Sequence, residues 1–157
     1  MKHETIHIMA SGFKKLEVFN LAFELSLKVH KMSLTLPKFE TYEEGSQVRR
    51  SSKSVCANIV EGYALRKYKN EYLHHIYRAY GSSEETLLHL EELFNTGSLT
   101  AKEVYDELSS AYRTLNAKLF NFIQSIEREF ETPQFLKEPA SSYTIQDSLA
   151  EDMNPEP

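Results

Sequence analysis

His3, Glu4 and His7 stand in the pattern His-Glu-x-x-His. On a helix, histidines four residues apart share a face and can hold zinc, with the glutamate as a base. That chemistry needs a rigid helix and a third ligand. Here the string precedes a helix-breaking Ser11-Gly12, and no later motif offers the third ligand. It reads as a chance match of a short pattern. A metalloenzyme using His3 and His7 is kept as one functional reading, to be tested by metal analysis after deletion of residues 1–10.

The remaining reactive side chains form no familiar constellation. Di-iron bundles use Glu-x-x-His on two different helices. Glu71 and His74 fit that spacing once, and the only other match, Glu4 and His7, falls outside the helices. His74 and His75 are adjacent and point in different directions, while His30 and His89 stand alone. Cys56 lies among apolar residues, where a thiol is a small packing group. There is no glycine-rich phosphate loop and no Gly-x-Ser-x-Gly elbow. No catalytic residue, metal or cofactor is predicted, and the chain reads as a non-enzyme.

Charge offers more. Residues 43–80 carry seven basic and four acidic side chains, a net +3 in a chain of net −5. Arg49, Lys53, Arg66, Lys67, Lys69 and Arg78 lack obvious acidic partners there, and Tyr63, Tyr68 and Tyr72 interleave with them. Basic groups bind phosphates and aromatic rings stack on unpaired bases. The six cations are the candidate nucleic-acid contacts, expected to line one end of the fold. The plain alternative is a solvated face beside a tyrosine-rich packing seam.

These residues must be positioned by helices. Only Pro37 interrupts residues 1–132, whereas Pro133, Pro139, Pro155 and Pro157 crowd the end. A first helix over 15–34 carries the stripe Val18, Ala22, Leu25, Val29, Met32. A second, over 42–65, carries Val48, Ser52, Val55, Ile59, with Thr41 and Glu44 as a capping box. A third follows Asn70 as N-cap, with Leu73, Ile76, Tyr80, Ser83, Leu87, Leu90 and Phe94. The loop at 95–98 ends it. A fourth follows a second capping box, Thr100 and Glu103, with Val104, Leu108, Ala111, Leu115, Leu119, Phe122 and Ile126. Short loops between helices of similar length predict an all-α, antiparallel up-and-down four-helix bundle over residues 13–131. Residues 1–12 read as a flexible leader. Residues 132–157, rich in Pro, Ser and acid, read as an extended or disordered tail.

On the second helix, Arg50, Ser54, Ala57 and Glu61 form another stripe with small members, suited to a neighbouring subunit. Folding this helix back about residue 67 sets Arg50 opposite Glu84 or Glu85. Arg50, Ser54, Asn58, Glu61, Glu84 and Glu85 are therefore predicted as a structural polar network. Gly81 falls in the same contact zone, where a close helix approach would offset its cost in a helix interior.

The chain has 157 residues and one cysteine. That length suits one domain with its own core, and a single cysteine excludes a disulfide framework. No apolar run approaches the roughly 18 residues of a membrane span, and no signal peptide is apparent. A soluble cytoplasmic protein is expected.

Arg49-Arg50, Ser54, residues 57–62 (Ala-Asn-Ile-Val-Glu-Gly), Glu71-Tyr72, residues 79–82 (Ala-Tyr-Gly-Ser), Glu84 and Glu85 together resemble a known family. It is the bacterial four-helix-bundle family associated with intervening sequences in 23S ribosomal RNA genes. The resemblance runs from about Phe13 to Ile126. It implies a cytoplasmic bundle assembled as a ring, a homopentamer. The chain is also similar to the accessory variability proteins of diversity-generating retroelements, basic pentamers that bind nucleic acid and a reverse transcriptase. Binding of RNA or DNA, or service as a scaffold for a protein partner, are the functions so implied.

Overall fold

The computed structural model describes residues 12–131. The leader and tail expectations, His3, His7 and the C-terminal prolines lie outside the described residues. Four helices make up the fold: α1 (Glu17–Ser33), α2 (Glu44–Ala64), α3 (Lys69–Asn95) and α4 (Lys102–Glu131). Short 3-10 turns, Gly12–Lys15 and Lys38–Thr41, precede α1 and α2. There is no strand among the described residues. No helix among them is long and apolar enough to cross a membrane.

The helix ends depart from the predicted caps. Pro37, with its fixed dihedral, opens the turn Lys38–Thr41, and Glu43 becomes the residue before α2. Thr41 is thus absorbed into the preceding turn and caps nothing. Likewise α3 starts at Lys69, so Asn70 lies inside it and Tyr68 precedes it. At α4 the first backbone bond runs from the Tyr105 N–H to the Ala101 carbonyl, 3.1 Å, placing Thr100 one residue too early. The stop of α3 is as the sequence reads. Gly97 takes φ 81°, a left-handed conformation that favours glycine, and Leu99 N–H returns to the Leu93 carbonyl at 2.8 Å.

The stripes of α1 and α2 are buried as predicted. That of α3 is rotated. Ile76, Ser83 and Leu90 are buried, but their neighbours are Tyr72, Ala79, Thr86 and Leu93; the predicted Leu73, Tyr80, Leu87 and Phe94 are only half-buried. In α4 Tyr112, Asn116 and Ile123 enter the core, and Val104, Ala111 and Phe122 sit at its margin. The reason is the α2–α3 contact, the most extensive in the fold. Small residues let these helices approach: the Thr86 hydroxyl donates to Ser51 Oγ at 2.8 Å, and Ser54 and Ser82 share a hydrogen bond of 2.9 Å. Apolar counting overlooks Ala79 and Thr86 as core residues.

Contacting pairs fix the register. On α2 and α3 they are Ser51 with Thr86, Ser54 with Ser82, and Glu61 with His75. On α1 and α4 they are Glu17 with Lys118 and Lys28 with Glu107. On α3 and α4 Tyr72 meets Phe122 and Phe94 stacks on Tyr105. In every case the numbers fall on one helix as they rise on the other. Gly62 is where α2 needs glycine: a Cβ would come 3.1 Å from His75 Cβ and 3.2 Å from Ile76 Cδ1. Gly81 is exposed, and a Cβ there would meet nothing within 4 Å, so no close helix approach offsets its cost.

Candidate nucleic-acid interface

The six predicted cations do not share one end. At 1.5 Å rise per residue, Arg49 lies roughly 22 Å along α2 from Ala64, and Lys53 roughly 16 Å. Arg49 acts locally, its Nη2 donating to the Thr41 carbonyl at 2.7 Å and tying α2 to the preceding turn. Lys53 is exposed midway along α2. Arg78 is exposed about 14 Å into α3 and lines an open groove with Ser54, Ala57, Asn58, Glu61, Gly81, Ser82 and Glu85.

Arg66, Lys67 and Lys69 do come together, because the α2–α3 turn is short. The Arg66 guanidinium lies over the Tyr63 ring, 4.2 Å from its centroid, and Nη1 donates to the Tyr63 carbonyl at 2.9 Å. Tyr68, 65% exposed, projects from the same turn. Tyr72 turns inward, edge-on to Phe122. Burial, then the nearby Glu129 charge, push its phenol up to about 12, so it stays a neutral packing group.

Two further cations belong to this end. The turn Gly12–Lys15 packs on α2, where a Cβ on Gly12 would meet the Tyr63 hydroxyl at 2.7 Å. It brings exposed Lys14 and Lys15 to the end that holds Arg66. Sequence reasoning missed them because about 50 residues separate them from Arg66. No carboxylate among the described residues forms an ion pair with Lys14, Lys15, Arg66, Lys67 or Lys69.

The predicted polar network divides in the same way. Ser54, Asn58 and Glu61 do form one cluster. Asn58 Nδ2 donates to the Ser54 carbonyl at 2.9 Å, and His75 Nδ1 lies 3.4 Å from Asn58 Oδ1 and 3.3 Å from Glu61 Oε2. Arg50 is exposed and pairs with neither Glu84 nor Glu85. Glu84 instead accepts from Asn116 Nδ2 of α4 at 2.8 Å, and Glu85 lies beside His89. The cause is the helix phase, which sets Arg50 on the outer side of α2 while Glu84 leans toward α4. Cys56 is half-buried, and burial pushes its thiol up against a smaller opposing hydrogen bond from Ser26, which leaves it protonated.

The opposite end of α2 and α3 is closed by acids. Glu40 is 5% exposed; it accepts from Ser98 Oγ at 2.5 Å and from the Gly45 N–H at 3.2 Å. Just beyond, Glu44 meets His89 Nδ1, and Glu92 Oε2 lies 3.5 Å from the same nitrogen. Burial, followed by a hydrogen bond to Glu92, raises the Glu44 carboxyl. A raised carboxyl favours the folded state when protonated, so this contribution fades as pH rises through the elevated value.

Residues 14–121 match the 23S rRNA-intervening sequence protein family. The fold is also that of a crystal structure from Bacteroides thetaiotaomicron, a protein of unknown function from the S23 ribosomal protein family. The two share 21% identity with a TM-score of 0.62, over 68% of this chain and 95% of that one. No curated protein matches the chain.

Proposed function

The chain belongs to the 23S rRNA-intervening sequence protein family, and on that premise we propose that it is a non-enzymatic bundle that binds structured RNA. The contact surface is the end of the bundle at the α2–α3 turn. One observation carries this reading. Lys14, Lys15, Arg66, Lys67 and Lys69 gather there without acidic partners among the described residues, beside Tyr63 and the exposed Tyr68. Cations that form no ion pair are free to replace phosphate counterions, and a protruding ring can stack on an unpaired base.

The test is fluorescence anisotropy with a structured ribosomal hairpin and a scrambled control, at low and at physiological salt. Tight, salt-sensitive binding is expected. The triple variant Arg66→Glu, Lys67→Glu, Lys69→Glu should weaken it at least about 100-fold and lower the salt slope by about 2 to 3, one per lost phosphate contact. Absence of binding at low salt, or an unchanged triple variant, removes RNA from this surface.

A second reading, a self-assembled scaffold for a protein partner, is favoured by other surfaces. Phe23 and Leu27 stand one turn apart on α1, 50% and 48% exposed. Ala57 lies on the outer face of α2, where a second copy could pack closely. Under this reading Ala57→Arg lowers the mass measured by light scattering to that of one chain and leaves helicity intact. A variant of unchanged mass excludes that face from assembly.

A further inference from the structure

Glu44 from the first turn of α2 and Glu85, His89 and Glu92 from α3 converge at the acidic end of the bundle. One ligand atom each from Glu44, His89 and Glu92 lies within 4.8 Å of the other two. His89 Nδ1 faces Glu44 Oε1 and stands 3.5 Å from Glu92 Oε2. Its other nitrogen, Nε2, faces Glu85 Oε1 at 3.4 Å. His89 is well enclosed, its side chain 12% exposed, so the imidazole is held in place rather than swinging in solvent.

The arrangement has a polarity that an ordinary ion pair lacks. With its proton on Nε2, facing Glu85, the ring would direct the Nδ1 lone pair at two more carboxylates. In that tautomer acceptor faces acceptor, and either a proton or a metal ion lies between them. A proton on His89 would neutralise one of three carboxylates. No lysine or arginine among the described residues forms an ion pair with any of the three. A divalent cation would neutralise two. With metal–ligand bonds of about 2.1 Å, donor atoms of a tetrahedral site lie roughly 3.4 Å apart; Glu92 already stands at 3.5 Å from Nδ1, and Glu44, in direct contact with Nδ1, would draw back to admit the ion. Imidazole with carboxylates suits zinc and its transition-metal neighbours, whereas magnesium and calcium take all-oxygen sites.

The geometry points to a transition-metal site in which His89 Nδ1, Glu44 and Glu92 bind a zinc-class divalent ion and Glu85 orients the imidazole. Solvent completes the coordination on the side of the exposed Glu92. The ion joins the first turn of α2 to α3 and acts as a clamp on the helical hairpin.

The test uses the full chain, stripped with a chelator, in a His3→Ala/His7→Ala background that silences the N-terminal histidine pair. Calorimetric titration with Zn²⁺ should show one saturable site per chain, and Zn²⁺ should raise Tm. Co²⁺ in its place should give visible d–d absorption. His89→Gln should abolish all three signals. Glu92→Gln, at a more exposed position, should keep full helicity by circular dichroism and weaken Zn²⁺ at least tenfold. Glu85→Gln should weaken it about tenfold through the ring orientation. If His89→Gln loses helicity, Glu92→Gln and Glu85→Gln decide the matter. No saturable binding by the parent chain, or Zn²⁺ affinity unchanged in the folded variants, overturns the site.

Discussion

At the α2–α3 turn, Arg66, Lys67 and Lys69 stand within four residues of one another and none reaches an acid among the described residues. At the far end of the same two helices, Glu44 meets His89 and Glu92 across more than 40 residues of sequence, with Glu85 on the other nitrogen of the imidazole. The first cluster is local, exposed and backed by aromatic rings. The second is assembled by packing and partly enclosed. The difference separates two ways of holding excess charge. Cations in water are screened and stay available to a partner. Carboxylates set side by side around an enclosed imidazole favour a shared proton or cation.

Perturbing the middle of the hairpin should lower the stability that both ends share. Ile76 is fully buried between them. Ile76→Ala should cost about 3 kcal/mol in chemical denaturation, from lost burial and the cavity left behind. If the ends are independent once folded, RNA and Zn²⁺ affinities at low temperature should survive it. A loss of either without unfolding would join them.

A smaller change should touch the acidic end alone. A Cβ at Gly45 would lie 2.5 Å from the Glu40 carbonyl oxygen, a backbone atom that has little room to move. Gly45→Ala should cost about 1 to 3 kcal/mol and should reduce Zn²⁺ affinity by displacing Glu44, while RNA binding holds. The charge-reversed triple variant should do the converse. Its positions, exposed at Arg66 and Lys67 and half-buried at Lys69, should shift stability by only about 0.5 kcal/mol each, with Zn²⁺ affinity unchanged. An effect of either variant on the other end would break the comparison.

Much of the candidate interface was legible. Arg66, Lys67, Lys69 and Tyr68 are neighbours in sequence, so any turn at that place gathers them. Lys14 and Lys15 were not legible, since only the contact of Gly12 with Tyr63 brings them there. Arg49 was misplaced for a related reason: a helix carries residues apart by 1.5 Å each, and a basic segment of 38 residues becomes a line rather than a patch. Arg50 was misassigned because register alone says which residue lies opposite, not which way either side chain faces.

The acidic cluster shows the limit from the other side. Glu85, His89 and Glu92 stand at spacings of four and three, one face of a helix, and the register predicted for α2 and α3 already set Glu44 near residue 90. Each piece was visible, yet His89 read as isolated because its third partner belongs to another helix.

By itself the sequence determined the number of helices, their order and close to their ends, because apolar periodicity and Gly97 act within a few residues. The α1 and α2 core faces were determined in the same way. Tertiary structure alone decided the phase of α3 and α4, the partners of Glu84 and His89, and the arrival of Lys14 and Lys15 at the basic end. The first two depend on how closely α2 and α3 approach through Ser51, Ala79 and Thr86, where packing of small side chains leaves no periodic mark, and the third on the contact of Gly12 with Tyr63.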